Sequence, residues 1–407
     1  MLTSLSFIFL VGLAMAAICQ RIRLPRIIGM LLTGIVLGPY VLDLLDPSIL
    51  SISSELRQMA LIIILVKAGL SLNLADLKKV GRPAVMLSCV PASFELLGYV
   101  LFAPMILGVN RIEAAVMGAV LAAVSPAVVV PRMVKLMESG YGTKKSIPQM
   151  ILAGASCDDI FVIVLFSTFS GMAQGGSARV MDFVNIPISI VSGILLGAVA
   201  GWLLSLFFET AYAKEHYVRN SMKVIIVLGV SFLLMSVETW VKPYISVSGL
   251  LAVVSMACVL KLRSMACALK MRAPKEVTGR LSEKFGKLWL AAEVLLFVLV
   301  GAAVDIRYTM GAGLAAVFMI FTALIFRTIG VLICLAGTVM YWKERLFCVI
   351  AYLPKATVQA AIGSVPMAMG LPCGQIVLSV AVMAILITAP LGALGMDSTF
   401  EKLLEKE

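Results

Sequence analysis

The sequence predicts an all-α integral membrane protein of 13 transmembrane helices, arranged as inverted repeats that each carry a broken, crossing helix. Three observations predict it. The 407-residue chain is 61% hydrophobic and only 14% charged, against roughly 45–50% and about 25% for soluble domains. Apolar runs approaching the roughly 20 residues that cross a bilayer recur from end to end. The net charge of +11 is carried by basic residues gathered in short loops between those runs, where they orient a membrane protein. No basic stripe is interleaved with aromatic residues, which argues against a nucleic-acid partner.

The apolar segments fall at about 2–19, 27–42, 59–72, 84–107, 113–133, 147–170, 184–208, 220–237, 246–260, 289–304, 313–339, 346–369 and 373–395. None alternates with the period of two of a transmembrane strand, so a helical bundle is expected. The first run lacks a basic region before it and is followed by Arg21, Arg23 and Arg26, so it reads as a mature helix, not a signal peptide. Loops after odd-numbered segments, with the C-terminal tail, hold 25 of the 33 Lys and Arg; the opposite loops hold five: Arg57, Arg111, Arg179, Lys242 and Arg307. That split predicts an N-terminus outside, a C-terminus in the cytoplasm and an odd helix count. The expected location is the cell (inner) membrane, with lipid as the surrounding partner.

The loop at 261–288 is the longest and carries eight basic residues, a natural boundary between halves. Glu95 and Arg327 each lie in the helix before a proline-interrupted one, and Val66–Leu70 has a counterpart in Val300–Val304. Segments 59–170 and 289–395 thus correspond in order but run in opposite senses, the inverted repeat common in secondary transporters. The expected divisions are 1–58, a first core repeat at 59–170, linking helices and a basic loop at 171–288, a second core repeat at 289–395, and a tail at 396–407.

Ionisable groups inside a bilayer are costly, at least about 2.5–3.5 kcal/mol each. Here they are Lys67, Glu95, Asp158, Asp159, Arg327 and Lys355. Asp158 and Asp159 lie mid-segment. Adjacent helical residues point about 100° apart, so one carboxylate can pair with a protein cation while the other faces a cavity. Two acids this close in a low dielectric resist joint ionisation, and such a site can trade a proton for a small cation. The broken helices carry Ser125-Pro126 and Pro131 in one half and Pro354-Lys355 in the other. Proline removes a backbone donor and frees a carbonyl one turn earlier. In hydrocarbon that is tolerated where the backbone is buried or lines a cavity. Arg327 stays protonated and must find a carboxylate, either Asp158 or Glu95. Lys355 can neutralise opposed half-helix ends or pair with Glu95, and a buried lysine can also give up its proton. Lys67 is expected to be structural or to snorkel.

Eight scattered cysteines form no C-x-x-C pair and read as packing residues. The single histidine, His216, excludes a histidine-cluster sensor or metal site. No cofactor is expected beyond the transported ions.

The strings Ser125–Pro131, Gly140-Tyr141-Gly142, Ser156–Ile160 and Leu353–Gly363 resemble the cation/proton antiporter superfamily, closest to its NHA branch of sodium/proton exchangers. The resemblance covers nearly the whole chain. It implies a sodium/proton antiporter-like fold, a homodimer, and dimer-domain helices at 1–58 and 171–288. It also implies a mobile core moving like an elevator, with Asp159 as the cation ligand and Asp158 as its salt-bridged neighbour. Bacterial double-aspartate antiporters usually carry lysine where Arg327 falls, and arginine there resembles the electroneutral branch, so the stoichiometry stays open.

The expected activity is exchange of Na⁺ or Li⁺ for H⁺ through one alternating site, with Ser125, Thr357 or freed carbonyls assisting the aspartates as hard oxygen ligands. The alternatives are a sodium-coupled symporter of an organic anion, which adjacent carboxylates disfavour, and a potassium/proton antiporter. An intramembrane aspartyl protease would need its two acids on separate helices. A channel is disfavoured by buried ion pairs and broken helices. The chain therefore reads as a secondary transporter, not an enzyme.

Overall fold

The computed structural model describes residues 1–22, 24–71, 81–174, 180–213, 219–241, 245, 247–271 and 276–406. Among them nine helical stretches are long and apolar enough to cross a membrane, and a shorter apolar helix spans Arg26–Leu37. In order the helices are α1 (Leu2–Arg21), α2 (Arg26–Leu37), α3 (Pro47–Ser51), α4 (Ser53–Ser71), α5 (Arg82–Leu87) and α6 (Val90–Leu107). Then come α7 (Arg111–Leu121), α8 (Pro126–Glu138), α9 (Ile147–Gln174), α10 (Val180–Ala213), α11 (Asn220–Val241) and α12 (Gly249–Met271). The last six are α13 (Glu276–Ala302), α14 (Ile306–Cys334), α15 (Trp342–Ala351), α16 (Thr357–Gly363), α17 (Val365–Ala368) and α18 (Gly374–Leu403).

Two compact units emerge. The first comprises described residues within Met1–Arg57, Asn73–Gln174 and Val294–Glu407; the second lies within Gln58–Leu72 and Gly175–Glu293. Apart from shifts of a few residues at the other boundaries, this grouping differs from the expected divisions in two places. Residues 58–72 cluster with the second unit, because Gly69 lets α4 lie against α12: a Cβ there would meet Ala257 Cβ at 2.6 Å and the Val254 carbonyl oxygen at 2.8 Å. Residues 1–57 cluster with the first unit, where Arg57 donates to the Leu299 carbonyl at 3.4 Å.

In the second unit α10 and α12 are held close by a row of glycines one turn apart. A Cβ on Gly193, Gly197 or Gly201 would sit 2.6, 2.1 or 2.5 Å from the carbonyl oxygens of Ser248, Ala252 and Met256. Small residues at this spacing let helix backbones meet where no hydrophobic effect drives them together. Lys67 also belongs to this unit, its ammonium 5.9 Å from the Trp289 ring centre.

The first unit holds the broken helices. The α7 helix starts with a capping box in which Asn110 accepts from Glu113 N at 2.9 Å and Glu113 accepts from Asn110 N at 2.8 Å, satisfying two donors that a helix start leaves free. It ends at Leu121, and residues 122–125 carry no helix until Pro126 opens α8. Proline is favoured at a first helical position, and it pushes the residue before it into extended conformation; Ser125 has φ −87° and ψ 109°. The other half repeats the pattern: α15 ends at Ala351, Pro354 lies in the gap, and α16 begins at Thr357. The α6 helix packs along α14, with the Phe102 and Phe326 rings 5.7 Å apart.

At one end of this unit the α8–α9 loop is gripped from two directions. Lys145 donates to both oxygens of Glu344, at 3.0 and 2.8 Å, and Glu344 in turn accepts from Tyr341 N. Gly142 N donates to the Glu405 carbonyl at 2.8 Å, Tyr141 and Lys406 form an isolated antiparallel bridge, and Arg132 makes a two-pronged bond to Asp397.

Candidate functional site

The two gaps meet. Ser125 N, which a continuous helix would direct at Leu121 O, instead donates to Pro354 O at 2.8 Å. Each gap leaves backbone groups that must find partners away from water, and most of those partners are side chains from other helices.

Arg327, on α14, supplies the carbonyls. Its guanidinium donates through Nε to Tyr352 O at 2.6 Å and through Nη1 to Ala122 O. Ala122 O is the carbonyl left without a donor because Pro126 has no N–H. One residue thus ties a carbonyl from each gap, and its five fixed donors explain why arginine suits the position. Gln359, on α16, does the rest. Its Nε2 donates to Ala123 O at 2.8 Å and to Leu121 O at 3.4 Å, while its Oε1 accepts from Ala356 N at 2.8 Å. Lys355 N donates to Thr388 Oγ1 at 2.9 Å. The remaining amide, Val124 N, donates to Asp158 Oδ2 at 2.7 Å.

The charges form a closed cluster. Glu95 Oε2, on α6, accepts from Arg327 Nη1 at 2.6 Å and from Lys355 Nζ at 2.5 Å. Arg327 Nη2 approaches Asp158 Oδ2 at 3.5 Å. All four residues are nearly inaccessible, at 0–1% exposure. Isolated charges this deep would be prohibitively costly; two acids against two bases balance. Of the partnerships left open by the sequence, Arg327 contacts both Glu95 and Asp158, and Lys355 pairs with Glu95.

Asp159 stands outside that balance. It is buried at 9% exposure, has no ion pair among the described residues, and its Oδ1 lacks a hydrogen-bond partner there. Asp158 Oδ1 and Ser125 Oγ are buried and unpartnered in the same way. Ser125 follows the residue whose amide holds Asp158. Thr357 is buried at the first position of α16. The sequence reading missed Gln359, Thr388 and Tyr352. The first two were visible as polar residues inside apolar runs. The buried Tyr352 hydroxyl, which lacks a partner among the described residues, gave no such signal; it abuts Gly154, one turn before Asp158, where a Cβ would lie 2.2 Å away.

This geometry has known counterparts. The family described as "Sodium/hydrogen exchanger, transmembrane" matches residues 5–402. Sodium/hydrogen exchanger 9B2 of Homo sapiens is 35% identical over 403 residues, covering 94% of this chain and 70% of that protein. Sodium/hydrogen exchanger 9B1 of Homo sapiens is 31% identical over 431 residues, covering 100% of this chain and 78% of that protein. The solved sodium proton antiporter MjNhaP1 from Methanocaldococcus jannaschii superposes with a TM-score of 0.81 over 98% of this chain and 97% of that one, at 22% identity, and shares the fold. With a family match along nearly its full length and relatives above 30% identity, this chain belongs to the sodium/hydrogen exchanger family, multi-pass membrane transporters, not enzymes, that exchange cations for protons.

Proposed function

We propose that the chain exchanges Na⁺ or Li⁺ for H⁺ by alternating access, with Asp159 as the cation and proton ligand and Asp158 as its salt-bridged neighbour. The observation that carries this reading is the contrast between the two acids. Asp158 is compensated by Arg327 and the Val124 amide, whereas Asp159 is a buried carboxylate with no cation of the protein beside it among the described residues. A buried carboxylate of that kind is stable only when a proton or a metal ion neutralises it. The two therefore compete for one place, and competition couples their fluxes without further machinery.

The other oxygens available are Asp158 Oδ1 and Ser125 Oγ, both unpartnered, with Thr357 nearby in sequence to the second gap. The carbonyls of Leu121, Ala122, Ala123 and Tyr352 already accept from side chains. Each carbonyl keeps a second lone pair, so side-chain oxygens and freed carbonyls both stand as supporting ligands. Arg327, Lys355 and Glu95 hold the frame. Potassium/proton exchange is the alternative that the same oxygens leave open.

In this reading α2, α4, α12 and the interrupted α15–α16 also cross, making 13 segments with inverted repeats, the N-terminus outside and the C-terminus cytoplasmic in the cell membrane. A homodimer with elevator-like motion of the core fits the same scheme. The test is flux in proteoliposomes: a Na⁺ or Li⁺ gradient should drive proton movement, and Asp159→Asn should abolish it with the folded fraction unchanged. Exchange retained in that variant removes Asp159 from the mechanism.

A further inference from the structure

We propose that Gln359 is a positioning residue of the cation site, setting cation affinity without touching the ion. The inference rests on the exchange reading above. Gln359 is fully buried and reaches both gaps at once. Its amide nitrogen holds Leu121 O and Ala123 O, the carbonyls that Ser125 N and Ala127 N would have bonded in an unbroken helix, and its amide oxygen holds Ala356 N at the start of α16.

The amide between those fixed points is Val124 N. Ala123 O is held on one side by Gln359 and Ser125 N on the other by Pro354 O, so the direction of the Val124 N–H is set. That N–H binds Asp158 Oδ2 at 2.7 Å and leaves Oδ1 unbonded. Gln359 thus decides which way the Asp158 carboxylate faces. The task needs a donor and an acceptor on one neutral group. A carboxylate could keep the bond from Ala356 N, but it could not donate to Ala123 O unless it carried a proton. The charged groups reaching the same gaps are Asp158, Arg327, Glu95 and Lys355. Groups that orient a metal ligand in this way are typically worth roughly 10–100-fold in metal affinity.

The experiment measures apparent KM for Na⁺ and maximal rate in proteoliposomes for the full chain and for Gln359→Met and Gln359→Glu, across pH. Each KM is expressed as the ratio to wild type at the same pH. The proposal expects Gln359→Met to raise that ratio roughly 10–100-fold at every pH with a smaller change in maximal rate. It expects Gln359→Glu to approach a ratio of one at acid pH, where the carboxyl can donate, and to diverge as pH rises. Ratios near one in both variants at all pH values overturn the proposal and leave the exchange reading standing. Reduced maximal rate with unchanged KM, or loss of a single sharp size-exclusion peak in both variants, assigns Gln359 to folding alone and also overturns it. A wild type that shows no cation-driven proton flux overturns both.

Discussion

Glu95→Gln tests whether the charge cluster is the frame of the site. The substitution keeps the shape and removes one charge. Glu95 Oε2 serves Arg327 at 2.6 Å and Lys355 at 2.5 Å, so the change leaves two bases facing Asp158 alone. With charge centres about 4 Å apart and an effective dielectric near 20, each lost attraction is about 4 kcal/mol. Relief of the carboxylate's own desolvation and hydrogen bonds kept by the amide offset part of this. The net cost is about 3–5 kcal/mol, the usual range for removing one partner of a buried pair. At roughly 2 °C per kcal/mol for a long chain, the melting temperature in detergent should fall by roughly 6–10 °C. Lys355→Met removes the surplus base, so Glu95→Gln/Lys355→Met should be more stable than the two single losses combined, by about 1–3 kcal/mol. A single variant melting within about 2 °C of wild type, or strictly additive losses in the cycle, would refute the reasoning.

Two further outcomes follow from the same geometry. Gly154→Ala should displace α9, because the new Cβ would lie 2.2 Å from Tyr352 Oη and 2.9 Å from Leu87 Cβ. Exchange should drop on the order of 100-fold, the scale of a 1 Å misplacement, with partial recovery when Tyr352→Phe is added; full activity in the single variant contradicts the tight fit. The hydrogen bond to Glu344 raises the Lys145 pKa above the ordinary lysine range. A raised pKa in the folded state gives stability that is complete below the unfolded value and lost only as pH climbs through the folded one. The melting difference between wild type and Lys145→Met should therefore stay constant from pH 6 to 9, and a difference that collapses inside that window would show the Lys145–Glu344 link to be absent in solution.

Much of this molecule is legible in its sequence, for identifiable reasons. Composition and run length reveal helices in a membrane because the bilayer imposes both. The prolines at 126 and 354 reveal the gaps because the missing N–H is a local property. The acids at 158 and 159 stand out because charge inside an apolar run is conspicuous. What the sequence does not carry is pairing. The contacts from Glu95 to Arg327 and Lys355 span 232 and 260 residues, and nothing local distinguishes Asp158 from Glu95 as the arginine's partner. The residues 58–72 illustrate the same limit: an apolar helix looks alike whichever unit it joins, and the glycine that decides, Gly69, acts through a neighbour nearly 190 positions away. Gln359 went unnoticed because an amide in an apolar run gains meaning only when the carbonyls it meets are known.

The long span between Glu95 and its arginine also bears on biosynthesis. The ribosome delivers about 5–20 residues per second, so a separation of 232 residues means roughly 10–50 s between the emergence of the acid and that of its base. Through that interval the first gap exists without the guanidinium that will occupy Ala122 O and without the glutamine that will occupy Ala123 O. Until the second half arrives, Glu95 and the carbonyls of the first gap lack the partners that complete them.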